Sequence, residues 1–156
     1  SEVNENVFAY ALGGHRHLPE IIQELEPLTT NGLNLTFLTH LIPMTRGILS
    51  SCYGTLVQPA EWEGEDGKKR LIDLYEGYYA GHPFVQVVPV PPQTKQTLGN
   101  NRCLLHPVID QLTGRLIVIS CHDNLVKGAA GQAVQNMNLM SGFPEDTSLE
   151  SLAVYP

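Results

Sequence analysis

The sequence predicts an α+β fold, a mixed, mostly antiparallel sheet with helices on one face. Three observations lead there. β-forming segments across residues 33–58 follow one another too closely to be joined by βαβ crossovers. A second pair across 101–120 is separated only by the turn "QLTG", as in a hairpin. Amphipathic helical patterns stand beside these strand groups instead of alternating strictly with them. With 156 residues, 42% of them apolar and 16% charged, the chain is predicted to be a single domain over 1–156 with a sizeable core.

The elements follow in order. "PEIIQELEPL" (19–28) places Ile21, Ile22, Leu25 and Leu28 on one helical face, with Pro19 in the first turn and "TTNG" ending the helix. "LNLTFLTHLIP" alternates Leu33, Leu35 and Phe37 against Asn34 and Thr36, the pattern of a half-buried strand. "RGILSSCYGTLV" continues as a second strand. Asp66 is placed to cap a helix through "KKRLIDLYEGYYAG", with Leu71, Leu74, Tyr75 and Tyr78 facing inward and Gly81 stopping it. "FVQVVPV" is a short strand ended by Pro91 and Pro92. "NRCLLHPVID" and "RLIVIS" form the hairpin. Asp123 or Asn124 caps a last helix whose apolar stripe is Val126, Ala130, Ala133, Val134 and Met137. "GFPEDTSLESLAVYP" reads as a polar, turn-rich tail.

Several function classes are disfavoured. A net charge of −7 does not suit a phosphate backbone, so no nucleic-acid partner is expected. Placed arginines and helix N-termini still suit a small anion. Apolar stretches fall far short of the roughly 20 residues of a membrane span, and no signal-peptide pattern is present. Cys52, Cys103 and Cys121 are an odd number without a CxxC pair, which points to free thiols in the cytoplasm. Neither GxGxxG nor a P-loop occurs. The chain opens on Ser1 without an initiator Met, as a piece of something longer would.

The chemistry concentrates in "GGHRHLPEII". If His15–Arg16–His17 is extended, both imidazoles point to one side, as in HxH pairs that share zinc. A third ligand would have to come from His40, His82, His106 or His122, and no spacing singles one out. Alternatively one histidine works as a general base with Arg16 handling an anion, or both simply hydrogen-bond at a helix start. In "DNLVKGAAGQAVQNMN", Gly128 and Gly131 each cost up to about 1 kcal/mol against Ala in a helix. Close approach of a ligand or tight packing would explain their presence. Cys52, inside a predicted strand, is expected to be a buried inert thiol, since a nucleophile needs a helix N-terminus, a cation or a base beside it. Cys103 and Cys121 also fall in predicted strands.

Taken together, "SEVNENVFAYALGGHRHLPEI", "LTHLIPMTRGIL" and "DNLVKGAAGQAVQNMNLM" resemble the C-terminal half of the N-acetyl-gamma-glutamyl-phosphate reductase family, related to aspartate-semialdehyde dehydrogenase. The resemblance implies a catalytic and dimerisation domain of the kind that ends glyceraldehyde-3-phosphate dehydrogenase. It implies an NADPH-dependent reductase of arginine biosynthesis that converts N-acetylglutamyl 5-phosphate to N-acetylglutamate 5-semialdehyde. A cysteine attacks the acyl phosphate, hydride reduces the thioester, and a histidine shuttles the proton. Carried over residue by residue, His15 is that catalytic histidine. Tyr10, Arg16, His17 and Arg46 line the substrate pocket, and Asn124, Gly128 and Gly131 lie near NADP, itself held mainly by a Rossmann domain.

The partners implied are the small acyl phosphate and further copies of the chain, as a dimer or tetramer through the sheet. No metal is implied. The family's nucleophile belongs to an NPGC motif that this sequence lacks, because Ser50 and Ser51 stand where Pro–Gly would precede Cys52. The fragment alone is therefore expected to be inactive. His122, before "DNL", replaces a usually apolar residue. A zinc hydrolase built on His15 and His17, and a noncatalytic dimerisation module, are the competing readings.

Overall fold

The computed structural model describes residues 3–30 and 32–153. Asn31 of the expected "TTNG" turn and the last three residues of the expected tail lie outside the described residues. The chain divides into two compact units, Ser1–Thr45 and Arg46–Pro156.

In the first unit, β1 (Phe8–Tyr10) pairs antiparallel with β2 (Thr39–Leu41), with Tyr10 opposite Thr39. The long strand expected from 33 onward is therefore confined to its last residues. Residues 32–38 alternate correctly but find no second backbone to pair with, and pairing is what turns alternation into a strand. Helix α1 (Leu18–Leu25) has Pro19 in its first turn, as expected. It stops earlier than its apolar period suggests, because Glu26–Leu28 tighten into a 3₁₀ turn around Pro27, which has no N–H to continue the helix. Ile21 and Ile22 are half-buried, whereas Leu25 and Leu28 are exposed.

In the second unit, β3 (Ile48–Gly54), β4 (Val85–Val87), β5 (Cys103–Ile109) and β6 (Leu116–His122) form one sheet in the order β3-β6-β5-β4. The β5–β6 hairpin and the β3–β6 pair are antiparallel, while β4 runs parallel to β5. The sheet is mixed and mostly antiparallel, as predicted. β4 ends at Val87, ahead of Pro89, although the Val88 N–H still donates to Leu105 O at 2.8 Å. Among the described residues, no helix is long and apolar enough to cross a membrane.

Helix α2 (Gly64–Tyr79) packs on β4 and β5 and buries Gly67 and Leu71. It begins two residues before Asp66, so that side chain stands in the first turn, where a negative charge favours the helix dipole, and does not cap it. The inward row is Gly67, Leu71, Tyr75 and Tyr79, spaced by four residues. Leu74 and Tyr78, expected inside, sit on the adjoining row at 55% and 73% exposure. A Cβ on Gly67 would overlap the Trp62 carbonyl, so glycine lets the helix start close against the preceding turn.

Helix α3 (Gly131–Met140) reverses its expected face. Its buried positions are Gly131, Gln135 and Asn138, and Ala130, Ala133 and Met137 of the expected stripe are exposed. Hydrogen bonds explain the reversal. Gln135 Oε1 accepts from Asn101 Nδ2 (3.0 Å) and Lys127 Nζ (2.7 Å), and Gln135 Nε2 donates to Glu145 Oε1 (2.5 Å). Asn138 Nδ2 donates to the carbonyls of Glu145 (3.2 Å) and Thr147 (3.0 Å). A hydrogen-bonded polar seam, with only Asn101 Oδ1 left without a partner among the described residues, replaces an apolar one, and hydropathy counts cannot foresee it.

Candidate active site

His15 occupies an aromatic corner of the first unit. Thr39 Oγ1 donates to Tyr10 O at 2.9 Å and holds the end of β1. The chain then turns back through Ala11, at φ +54, and Gly14, at φ +127, with the Gly14 N–H donating to Ala11 O at 3.0 Å. The left-handed conformation at Ala11 is one that only glycine adopts freely, and such residues concentrate where geometry serves a site. His15 follows immediately.

The His15–Arg16–His17 segment is not extended. The Leu18 N–H donates to His15 O at 2.9 Å, closing a turn that leads into α1. His15 Nδ1 accepts the His17 backbone N–H at 3.1 Å, which places the neutral ring's proton on Nε2. Nε2 stands 3.4 Å from Tyr10 Oη. The ring meets Tyr10, His17 and Phe37 edge-on, at centroid distances of 5.5, 4.8 and 5.5 Å. The helix-start bond foreseen for these histidines is thus present at His15, and it leaves Nε2 for other work. Arg16 and His17 are exposed at the mouth of this corner. The backbone bond occupies one of the two nitrogens His15 could offer a metal. Among the described residues, no three His, Cys, Asp or Glu side chains gather as metal ligands.

Arg46 lies in the second unit, where its Nη2 pairs with Asp123 Oδ2 at 2.8 Å. Asp123 is fully buried and accepts four hydrogen bonds. Oδ1 takes the N–H groups of Leu125 (2.8 Å) and Val126 (3.0 Å), and Oδ2 takes the Gly99 N–H (2.7 Å) besides Arg46. Those bonds, backed by the arginine, outweigh desolvation and hold its carboxyl below the ordinary range. Asp123 therefore does cap the last helical segment, as foreseen, but that segment opens as a π-helical turn, Val126–Ala130. Asn124 Oδ1 accepts the Gly47 N–H at 2.7 Å.

The two glycines of that segment differ. A Cβ on Gly131 would overlap Asn101 Oδ1 and stand 2.8 Å from Val126 O, so tight packing accounts for glycine there. Gly128 is exposed, and a Cβ would make ordinary contacts at 3.4–3.5 Å with Asp123 O and the His122 ring. His122, unexplained by sequence, covers this turn from the end of β6. Burial, helped by Lys127, holds its imidazole below the usual histidine range against the pull of Asp123. A histidine kept neutral in the fold protonates more readily when unfolded. Stability present above about pH 6.5 is therefore lost as pH falls below it. Urea unfolding of the chain should show this acid loss as pH falls below the ordinary histidine range, and His122→Gln should flatten it. An unchanged slope in the variant would refute this role.

None of the three cysteines is activated. Cys52 is exposed on β3, not buried as expected, yet partial desolvation raises its thiol. Burial raises Cys103, partly offset by Lys127, and Cys121 is pushed up to about 11 by burial and Cys103. A nucleophile needs the opposite shift.

The family model of the semialdehyde dehydrogenase dimerisation domain matches residues 1–124, from the His15 corner through Asp123. The chain belongs to this family. Among curated relatives of the semialdehyde dehydrogenase dimerisation domain, proteins named N-acetyl-gamma-glutamyl-phosphate reductase share about half their aligned residues with it. That of Dehalococcoides mccartyi is 52% identical over 157 residues, and that of Citrifermentans bemidjiense 54% over 158, each alignment spanning 99% of this chain. That of Pelotomaculum thermopropionicum is 49% identical over 158 residues. The chain spans 44% of the length of these relatives. Tyr75 and Tyr79 of α2 face Cys52 and Cys103 on one side of the sheet. The strand register puts Leu49, Tyr53 and Val108 on the other side, at 49%, 68% and 36% exposure.

Proposed function

We propose that the chain is the catalytic and dimerisation part of an NADPH-dependent reductase that converts N-acetylglutamyl 5-phosphate to N-acetylglutamate 5-semialdehyde, in the cytoplasm. The observation that carries this reading is an alignment running the length of the chain, at about 50% identity, to proteins of that name. The ordered aromatic corner around His15 supports it. NADPH, when bound, supplies the hydride that reduces the acyl group once phosphate has left. His15 moves the proton at Nε2, the nitrogen its backbone contact leaves available. Tyr10 Oη, 3.4 Å away, orients that nitrogen. In the first unit, Arg16 and His17 offer exposed donors to an anionic group; in the second, Arg46 keeps for an anion the part of its guanidinium that Asp123 does not hold. Toward NADP, Asn124 offers its Nδ2 and Gly128 an exposed backbone. Gly131 offers nothing, because Asn101 fills the space beside it.

Growth provides the test. The full-length protein containing this chain should restore growth without arginine to a bacterium lacking the reductase. Failure to do so, with soluble protein present, would refute the reading. The open sheet face should also bring two copies together, since Leu49, Tyr53 and Val108 expose apolar surface on that one face. Light scattering at micromolar concentration should give a dimer or larger, reduced toward monomer by Tyr53→Lys. A clean monomer for the unaltered chain would contradict it.

A further inference from the structure

The strongest unassigned feature is the carboxylate of Asp123. It is 0% exposed, and both its oxygens are fully used by donors from three separate stretches of chain. A capping residue needs only the Leu125 and Val126 amides. The other oxygen is turned to Gly99 and to the guanidinium of Arg46, and the next residue, Asn124, grips the backbone of Gly47. Residues 123–124 thus fix residues 46–47 by side chain and by main chain together. Among the described residues, the side chain of Arg46 is held at Nη2 by Asp123. Its side chain remains 34% exposed, and its Nε is buried without a partner. A buried N–H left unmade is costly, and a guanidinium held by one corner keeps donors for a second anion.

We propose that Asp123 is a positioning residue for substrate binding: it holds Arg46 in one orientation before substrate arrives, from the same carboxylate that anchors the turn carrying Gly128. This rests on the reading of Arg46 as a substrate-binding arginine. The energetic logic is preorganisation. An arginine free to rotate must be ordered at each binding event, and that cost appears in the affinity for the anion and not in the chemical step.

The test uses the full-length reductase. Asp123→Ser keeps an oxygen for the Leu125 and Val126 amides and removes the partner of Arg46. It should raise KM for the acyl phosphate by about tenfold or more, with kcat changed by less than about threefold. Arg46→Met alone should raise KM similarly, and the double variant should add nothing further. If Arg46→Met raises KM and Asp123→Ser does not, the positioning role is overturned while the reading of Arg46 stands. If Arg46→Met leaves KM unchanged, that reading fails and the proposal with it. A measurement on the unaltered protein covers the case in which Asp123→Ser does not fold. With 15N-labelled arginine and no substrate, Arg46 should show slow rotation of its guanidinium. Rapid averaging like that of exposed arginines would overturn the proposal.

Discussion

Asp123→Ala should lower the stability of the chain by about 3–5 kcal/mol, the range for removing one partner of a buried ionic network. The loss has identifiable parts. The N–H groups of Gly99, Leu125 and Val126 lose their acceptor, and Arg46 keeps its charge without the carboxylate 2.8 Å away. Each orphaned donor costs roughly 1–3 kcal/mol when buried, less where water reaches it. Asp123→Ser should cost clearly less, because a hydroxyl still serves the helix start. Urea denaturation of both variants beside the unaltered chain measures the difference. Equal, small losses would show that the network is solvent-supported and not structural. The same carboxyl predicts a second acid limb. Its value is depressed in the fold, so the stability it provides is present above the ordinary carboxylate range and is lost as pH falls through the lower, folded value.

His15→Ala in the full-length reductase should reduce kcat by about 10²–10⁴-fold, the range for losing a general acid–base. KM should change much less, because the proton transfer is realised in the transition state. His17→Ala should have the smaller effect. Its ring is exposed, and its backbone N–H, which alanine retains, is what fixes His15 Nδ1. Tyr10→Phe keeps the ring beside His15 and removes only the hydroxyl at 3.4 Å, so it should fall between the two. If His17→Ala abolishes turnover and His15→Ala spares it, the roles are exchanged. A zinc site would show a different signature, loss with both variants and recovery on adding zinc.

β3 and the β5–β6 hairpin stand where their β-forming residues and the "QLTG" turn put them, although β3 finds its partner in β6, far along the chain. Alternation alone misled at 33–38, where the apolar side chains are real but no strand lies alongside; Phe37 instead meets the His15 ring. The parallel pairing of β4 with β5 is a tertiary choice that no local pattern encodes. α3 misled most, because its inward face is chosen by what Asn101 and Glu145 need as hydrogen-bond partners and not by its apolar residues. At the candidate site, the HRH spacing drew attention to residues whose rings the fold gathers with Tyr10 and Phe37. It did not reveal that a turn, and not an extended segment, sets the two rings at 65° to one another. Arg46 and Asp123 were each visible, one as an anion binder and one as a cap, but their pairing spans 77 residues and belongs to the fold.

The most direct measurement of the central claim is a phosphate-dependence assay on the full-length protein containing this chain. Run in reverse, with N-acetylglutamate 5-semialdehyde and NADP, reduction of NADP should require inorganic phosphate, release one acyl phosphate per NADPH formed, and persist in the presence of a metal chelator. NADP reduction that is indifferent to phosphate, or no reduction by a soluble and correctly assembled protein, would contradict the account.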